Sequence, residues 1–84
     1  MVDNSDMYQE LDKIIINFLN LNKNLAFTPE SLLKRIKNDI QKPDLLEYLE
    51  KYTEGVLNRL AFSYKIDMHE HKGKKYFMKL LLEL

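Results

Sequence analysis

"VLNRLAFSYKIDMHEHKGKKYFMKL", residues 56–80, is where the chain changes its period. Up to Leu60 the apolar positions Leu45, Leu49, Tyr52, Val56 and Leu60 recur three or four apart, which is the spacing of one helix face. After Ala61 the spacing drops to two: Phe62, Tyr64, Ile66 and Met68 alternate with Ser63, Lys65, Asp67 and His69, and Tyr76, Met78, Leu80 and Leu82 resume the pattern beyond Gly73. This predicts a helix followed by a two-stranded hairpin. Pairing Met68 with Met78 and Ile66 with Leu80 puts both apolar sets on one face. That register requires a loop of three residues or more around Lys72, Gly73 and Lys74, with Gly73 at positive φ, because a slip of one residue turns every side chain over. Tyr52, Phe62, Tyr64 and Tyr76 are then expected to face the core.

Working toward the N-terminus, the helix that ends near Ala61 follows Pro43, with Asp44 expected as its cap; Gly55 leaves open whether residues 44–61 form one helix, the favoured reading, or two that meet near Thr53. Before it, "TPES" at 28–31 carries a strong helix start: the Thr28 hydroxyl can accept a free backbone N–H and Pro29 suits the first helical position. Leu32, Leu33 and Ile36 give this second helix an inner face, and it is expected to end before "NDIQKP" at 38–43. A short apolar segment, Leu25 to Phe27, precedes it. The first helix is expected from Tyr8 to Asn22, on the stripe of Tyr8, Leu11, Ile14, Ile15, Phe18, Leu19 and Leu21.

The chain has 84 residues, enough for one domain and too few for two, with residues 1–7 expected as a flexible acidic N-terminus. Its 45% hydrophobic and 31% charged residues are those of a globular protein. With no cysteine, disulfides, thiolate metal sites and thiol nucleophiles are excluded, and an intracellular, cytoplasmic setting is expected. The polar start "MVDNSDMYQE" is unlike a signal peptide, and apolar runs such as "IIINFLNL" at 14–21 are too short to span a bilayer, so no membrane association is expected. The formal net charge is zero, yet Asp3, Asp6, Glu10 and Asp12 precede the first basic residue, Lys13. Residues 13–84 therefore hold thirteen basic and nine acidic side chains.

The order helix, short strand, helix, helix, hairpin resembles the winged-helix variant of the helix-turn-helix class, an α+β fold of three helices, a short strand before helix two and a C-terminal wing. The resemblance covers roughly residues 8–82 and is carried by "LAFTPESLLKRI" at 25–36 and by the stretch quoted first. It implies a small DNA-binding protein, a transcriptional regulator, whose third helix enters the major groove while helix two and the wing touch phosphates. By position the groove-facing residues are Asp44, Glu47, Glu50, Lys51, Glu54, Asn58 and Arg59. Phosphate contacts would come from Lys34, Arg35 and Lys37, extended by Lys42, and from Lys72, Lys74 and Lys75 at the wing tip. Nucleic-acid binding is thus assigned to Lys34, Arg35, Lys37, Lys51, Asn58, Arg59, Lys72, Lys74 and Lys75. The alternative is a winged-helix protein-interaction module that does not bind DNA, favoured by the zero net charge and by four carboxylates against two cations between residues 44 and 60. Homodimerisation is compatible with either, since Leu81, Leu82 and Leu84 leave more apolar surface than one short strand needs.

His69 and His71 share a strand face, but a tetrahedral zinc site would need Asp67 or a second chain as well, and the expectation is exposed histidines with no metal and no cofactor. Ser31 and Ser63 have no matching histidine and carboxylate, and no glycine-rich phosphate loop occurs, so an enzyme is not expected.

Overall fold

The computed structural model describes residues 4–81, with side chains from Tyr8 onward, and is an α+β arrangement of three helices and a C-terminal antiparallel hairpin. Helix α1 spans Asn4–Leu21, opening four residues earlier than the apolar spacing suggests. It buries Leu11, Ile15 and Leu19 at intervals of one turn. Its last turn is closed by Asn22, whose backbone N–H and side-chain amide both donate to the Phe18 carbonyl, at 3.1 and 2.8 Å.

Helix α2, Pro29–Ile36, starts where its cap dictates. The Ser31 N–H donates to Thr28 Oγ1 at 3.2 Å, and the Ser31 hydroxyl returns a bond to the Thr28 carbonyl at 3.1 Å. Leu32 and Ile36 are buried, and a 3₁₀ turn at Lys37–Asp39 carries the chain to the buried Ile40. Helix α3, Pro43–Phe62, has Lys42 rather than Asp44 at its N-cap position, with no side-chain bond to the free backbone N–H groups. Proline itself takes the first helical position, which leaves Asp44 in the first turn, where its charge still favours the positive helix end. Two helical segments meet at a kink at Tyr52, whose backbone is non-helical at φ −127° and ψ 30°, so the favoured single helix over residues 44–61 gives way to the other reading, two that meet near Thr53. The Thr53 hydroxyl donates to the Leu49 carbonyl at the bend, a side-chain bond to the backbone four residues back of the kind that bends helices.

Three further expectations are overturned. First, helix α3 continues through Phe62, and the chain leaves it by a left-handed residue. Tyr64 has φ 57°, its N–H donates to the Ala61 carbonyl at 3.1 Å, and the Lys65 N–H donates to the Leu60 carbonyl at 3.0 Å. These are the paired bonds of a Schellman terminus, with tyrosine where glycine is usual. Second, Tyr52, Phe62 and Tyr64 do not face the core, being 50, 84 and 76% exposed, and Tyr76 lies opposite His69 on the face of the hairpin away from the buried Phe77. Third, the hairpin has the other register. Strands β1, Ile66–His71, and β2, Lys74–Lys79, pair with Asp67 opposite Met78, Met68 opposite Phe77 and His69 opposite Tyr76. The loop is the two residues Lys72 and Gly73, both at positive φ (53° and 79°), which fits the twist of a tight type I′ hairpin.

The cause of the register lies outside the hairpin. From Tyr76 to Met78 every residue is apolar, so alternation does not choose a face. Phe77 is chosen, fully buried, because the backbone of Phe27 pairs with it: the Phe27 N–H donates to the Phe77 carbonyl at 2.8 Å and the Phe77 N–H donates to the Phe27 carbonyl at 2.7 Å. The short strand expected at residues 25–27 is this single bridge. Ile66 and Phe77 then close one core with the inner residues of all three helices. Leu82 and Leu84, assigned to the apolar C-terminus, lie outside the described residues.

Candidate functional site

A groove of about 550 Å³ is bounded by the start of α2, the bend of α3 and the hairpin tip. Each wall follows from a local cause. The cap at Thr28 sets Pro29 and Glu30 on one rim, with Leu33 one turn further in. The bend at Tyr52 presents Glu50, Lys51, Thr53 and Glu54 on the second. The tight turn brings Gly73, Lys74 and Lys75 up as the third, and Lys75 Nζ sits 3.4 Å from a Glu54 carboxylate oxygen. Three carboxylates, Glu30, Glu50 and Glu54, and three ammonium groups, Lys51, Lys74 and Lys75, therefore share the groove lining with Pro29 and Leu33. Such a surface is polar and charge-neutral, suited to a ligand that carries both signs or cations next to apolar groups.

Of the residues assigned to nucleic-acid binding, the groove gathers Lys51, Lys74 and Lys75. Lys72 is exposed at the tip beside it. Lys34 and Lys37 are exposed on α2 and its 3₁₀ extension, outside the groove, and the Arg35 guanidinium lies 5.7 Å from the centre of the Phe27 ring. Lys42 forms an exposed ion pair with Glu10 at 2.8 Å. Asn58 and Arg59 are on other faces of α3. Asn58 borders a second, smaller concavity next to β1, and Arg59 holds α3 to α1 through two bonds to the Asp12 carboxylate, at 2.7 and 3.0 Å. This bidentate contact pushes the Arg59 pKa above its ordinary value, and the same guanidinium stands 6.0 Å from the centre of the Tyr8 ring. Tyr8 and Tyr48, rings 5.2 Å apart, complete the α1–α3 contact, and burial followed by the hydrogen bond with Tyr8 raises the Tyr48 pKa.

His69 and His71 share the outer face of the hairpin and are exposed. Among the described residues no group of three or more His, Asp or Glu side chains is placed to hold a metal ion, and no helix is long and apolar enough to cross a membrane. Sequence reasoning missed Glu30 as a groove residue. Its only signal was its place in the first turn of α2, which says nothing of the hairpin tip opposite. In comparisons with protein-family models, with curated proteins and with solved structures the chain finds no match, so a functional reading rests on the geometry above.

Proposed function

We propose that the chain is a winged-helix-like domain that acts as a protein-interaction module, taking a basic, partly apolar polypeptide segment in the groove between α3 and the hairpin tip. The observation that carries this reading is that Glu30, Glu50 and Glu54 line the same groove as its lysines, one of which, Lys75, already faces Glu54 at 3.4 Å. A duplex laid along α3 in the usual winged-helix manner would bring phosphates against these carboxylates, and like charges at that range cost affinity rather than supplying it. A polypeptide can place a Lys or Arg against Glu50 and Glu54 and an aliphatic side chain over Pro29 and Leu33. Nothing in this reading involves catalysis. DNA binding by a small transcriptional regulator is the second reading, supported by the exposure of Lys72 and Lys74 at the tip and of Lys34 and Lys37 on α2.

The test uses two probes, a fluorescent peptide of alternating lysine and leucine and a generic DNA duplex, each titrated at low and moderate salt. The expected result is peptide binding that shifts the NMR signals of Leu33, Glu54 and Lys75. Changing Glu47, Glu50 and Glu54 together to Gln should weaken it, mostly through slower association, and strengthen the feeble duplex binding by relieving repulsion. Tight wild-type duplex binding would replace this reading with the DNA one, provided that its salt dependence flattens by up to about three phosphate contacts when Lys72, Lys74 and Lys75 become Ala.

A further inference from the structure

One ion pair spans the groove. Lys75 Nζ, on the hairpin, stands 3.4 Å from a carboxylate oxygen of Glu54 on α3. The two other ion pairs among the described residues, Lys42–Glu10 and Arg59–Asp12, involve no residue that lines the groove. Glu54 is one of the carboxylates to which the cation of a bound segment is assigned above, so the chain's own ammonium stands where that cation would go. The side chains of Lys75 and Glu54 are 37 and 60% exposed, and a pair so open to water is held weakly enough to be exchanged.

The hairpin register supplies Lys75 with a second carboxylate, since Glu70 lies directly opposite it on β1. Phe77 directs its N–H and C=O to Phe27, so the Met68–Phe77 pair has no hydrogen bonds of its own, and by the alternation of antiparallel ladders neither has Glu70–Lys75, two residues nearer the turn. Pairs of this kind hold their Cα atoms about 4.5 Å apart with both side chains on one face, within reach of an ammonium and a carboxylate. Glu70 is exposed and takes part in no ion pair among the described residues. Lys75 therefore has two acceptors: Glu54 across the groove, which it holds, and Glu70 on its own hairpin, which is open. Moving between them needs no change of backbone. Phe77 is bridged to Phe27 and the turn at Lys72 and Gly73 is tight, so the exchange is a rotation of one flexible side chain.

We propose that Lys75 gates the groove as an internal stand-in for the partner's cation: it rests on Glu54 while the groove is empty, and turns to Glu70 when a Lys or Arg of the bound segment takes Glu54. This rests on the reading of the groove as a site for a basic segment, and it makes Lys75 the residue that decides which segments enter. A segment without a base leaves the Lys75–Glu54 pair in place and finds the groove spanned. A segment with a base opposite Glu54 replaces that one pair by two, its own with Glu54 and that of Lys75 with Glu70. Removing the ammonium of Lys75 then has opposite signs for the two kinds of ligand. It favours a basic peptide, which loses a competitor, and disfavours a DNA phosphate, which loses a contact.

A double-mutant cycle in the full chain, titrated at low salt with the fluorescent lysine–leucine peptide, tests the gate. Lys75→Met keeps an apolar stem and removes the ammonium, and should tighten peptide binding about two- to fivefold. Glu70→Gln should weaken binding about twofold while Lys75 is present and leave it unchanged once Lys75 is Met, because Glu70 acts only through the ammonium it receives. In the free protein Glu54→Gln should shift the NMR signals of the Lys75 side chain more than Glu70→Gln does, and saturation with peptide should reverse that order. Lys75→Gln carries the test if circular dichroism shows that the methionine variant has lost its hairpin. Peptide binding that neither Lys75 variant tightens would overturn the gate and leave the groove reading standing, as would an effect of Glu70→Gln that survives the loss of Lys75. A wild type and a Lys75→Met variant that both fail to bind the peptide would remove the groove reading, and the gate with it.

Discussion

Replacing Tyr64 by glycine tests both the strain at the end of α3 and whether the exposed ring packs on the rest of the chain. An L-residue with a Cβ held at φ 57° is disfavoured by about 1–2 kcal/mol, and glycine removes that term. Against it stands the greater freedom of glycine in the unfolded chain, about 0.7 kcal/mol. The ring itself contributes little, since 76% of the residue is exposed; the apolar area it covers, on the order of 25 Å², corresponds to about 0.6 kcal/mol. These terms nearly cancel, so Tyr64→Gly should leave the monomer's stability unchanged to within about 0.5 kcal/mol, whereas glycine in place of a well-placed residue costs more. Tyr64→Ala is the informative companion, because it loses the ring without relieving the backbone, and should fall below the glycine variant by about 1 kcal/mol. Urea unfolding measures both, with equal m-values as the sign that the unfolded states are alike. An alanine variant as stable as the glycine one would show that Tyr64 is not in the left-handed region. A loss above about 1.5 kcal/mol for glycine would show that the ring packs against the rest of the chain.

Two other perturbations follow from particular sites. A Cβ built at Gly55 meets nothing within 4 Å, so Gly55→Ala should stabilise the second half of α3 by about 0.5–1 kcal/mol and raise the melting temperature by about 4 °C; a lower one would mean that the bend at Tyr52 needs the glycine. The raised pKa of Tyr48 means that the folded state holds the phenolic proton longer than the unfolded state does. Its contribution is whole below the ordinary tyrosine pKa of about 10 and is lost as pH rises through the higher folded value, so stability should fall above pH 10. Tyr48→Phe should flatten that alkaline decline, and an identical pH profile for the two proteins would show that the phenol is not shielded.

The parts of this protein legible in its sequence are those whose causes lie within a few residues. Thr28 and Pro29 fix the start of α2 because the cap bond spans three residues, and the spacing of Leu11, Ile15 and Leu19 marks the buried stripe of α1 because a helix repeats every 3.6. Gly73 sits at positive φ in the hairpin loop for an equally local reason. The sequence also showed that carboxylates and lysines share the region of α3 and the hairpin. It did not show that Glu54 meets Lys75, that Arg59 is bound to Asp12 on α1, or that Glu30 faces the hairpin tip. Nor did it show the hairpin register. With apolar residues at 76, 77 and 78 in succession, either face of β2 satisfied alternation, and the choice fell to Phe27, fifty residues earlier, whose backbone pairs with Phe77. That choice shortened the loop to Lys72 and Gly73 and turned Met68 outward on its backbone side. Alternation also carried Phe62 and Tyr64 into the strand, while the paired bonds at the end of α3 kept Phe62 in the helix and set Tyr64 left-handed. Period and capping act along the chain over one or two turns. Register, ion pairs and exposure depend on which distant segment covers a residue, and that is set only when the three helices and the hairpin close on one core.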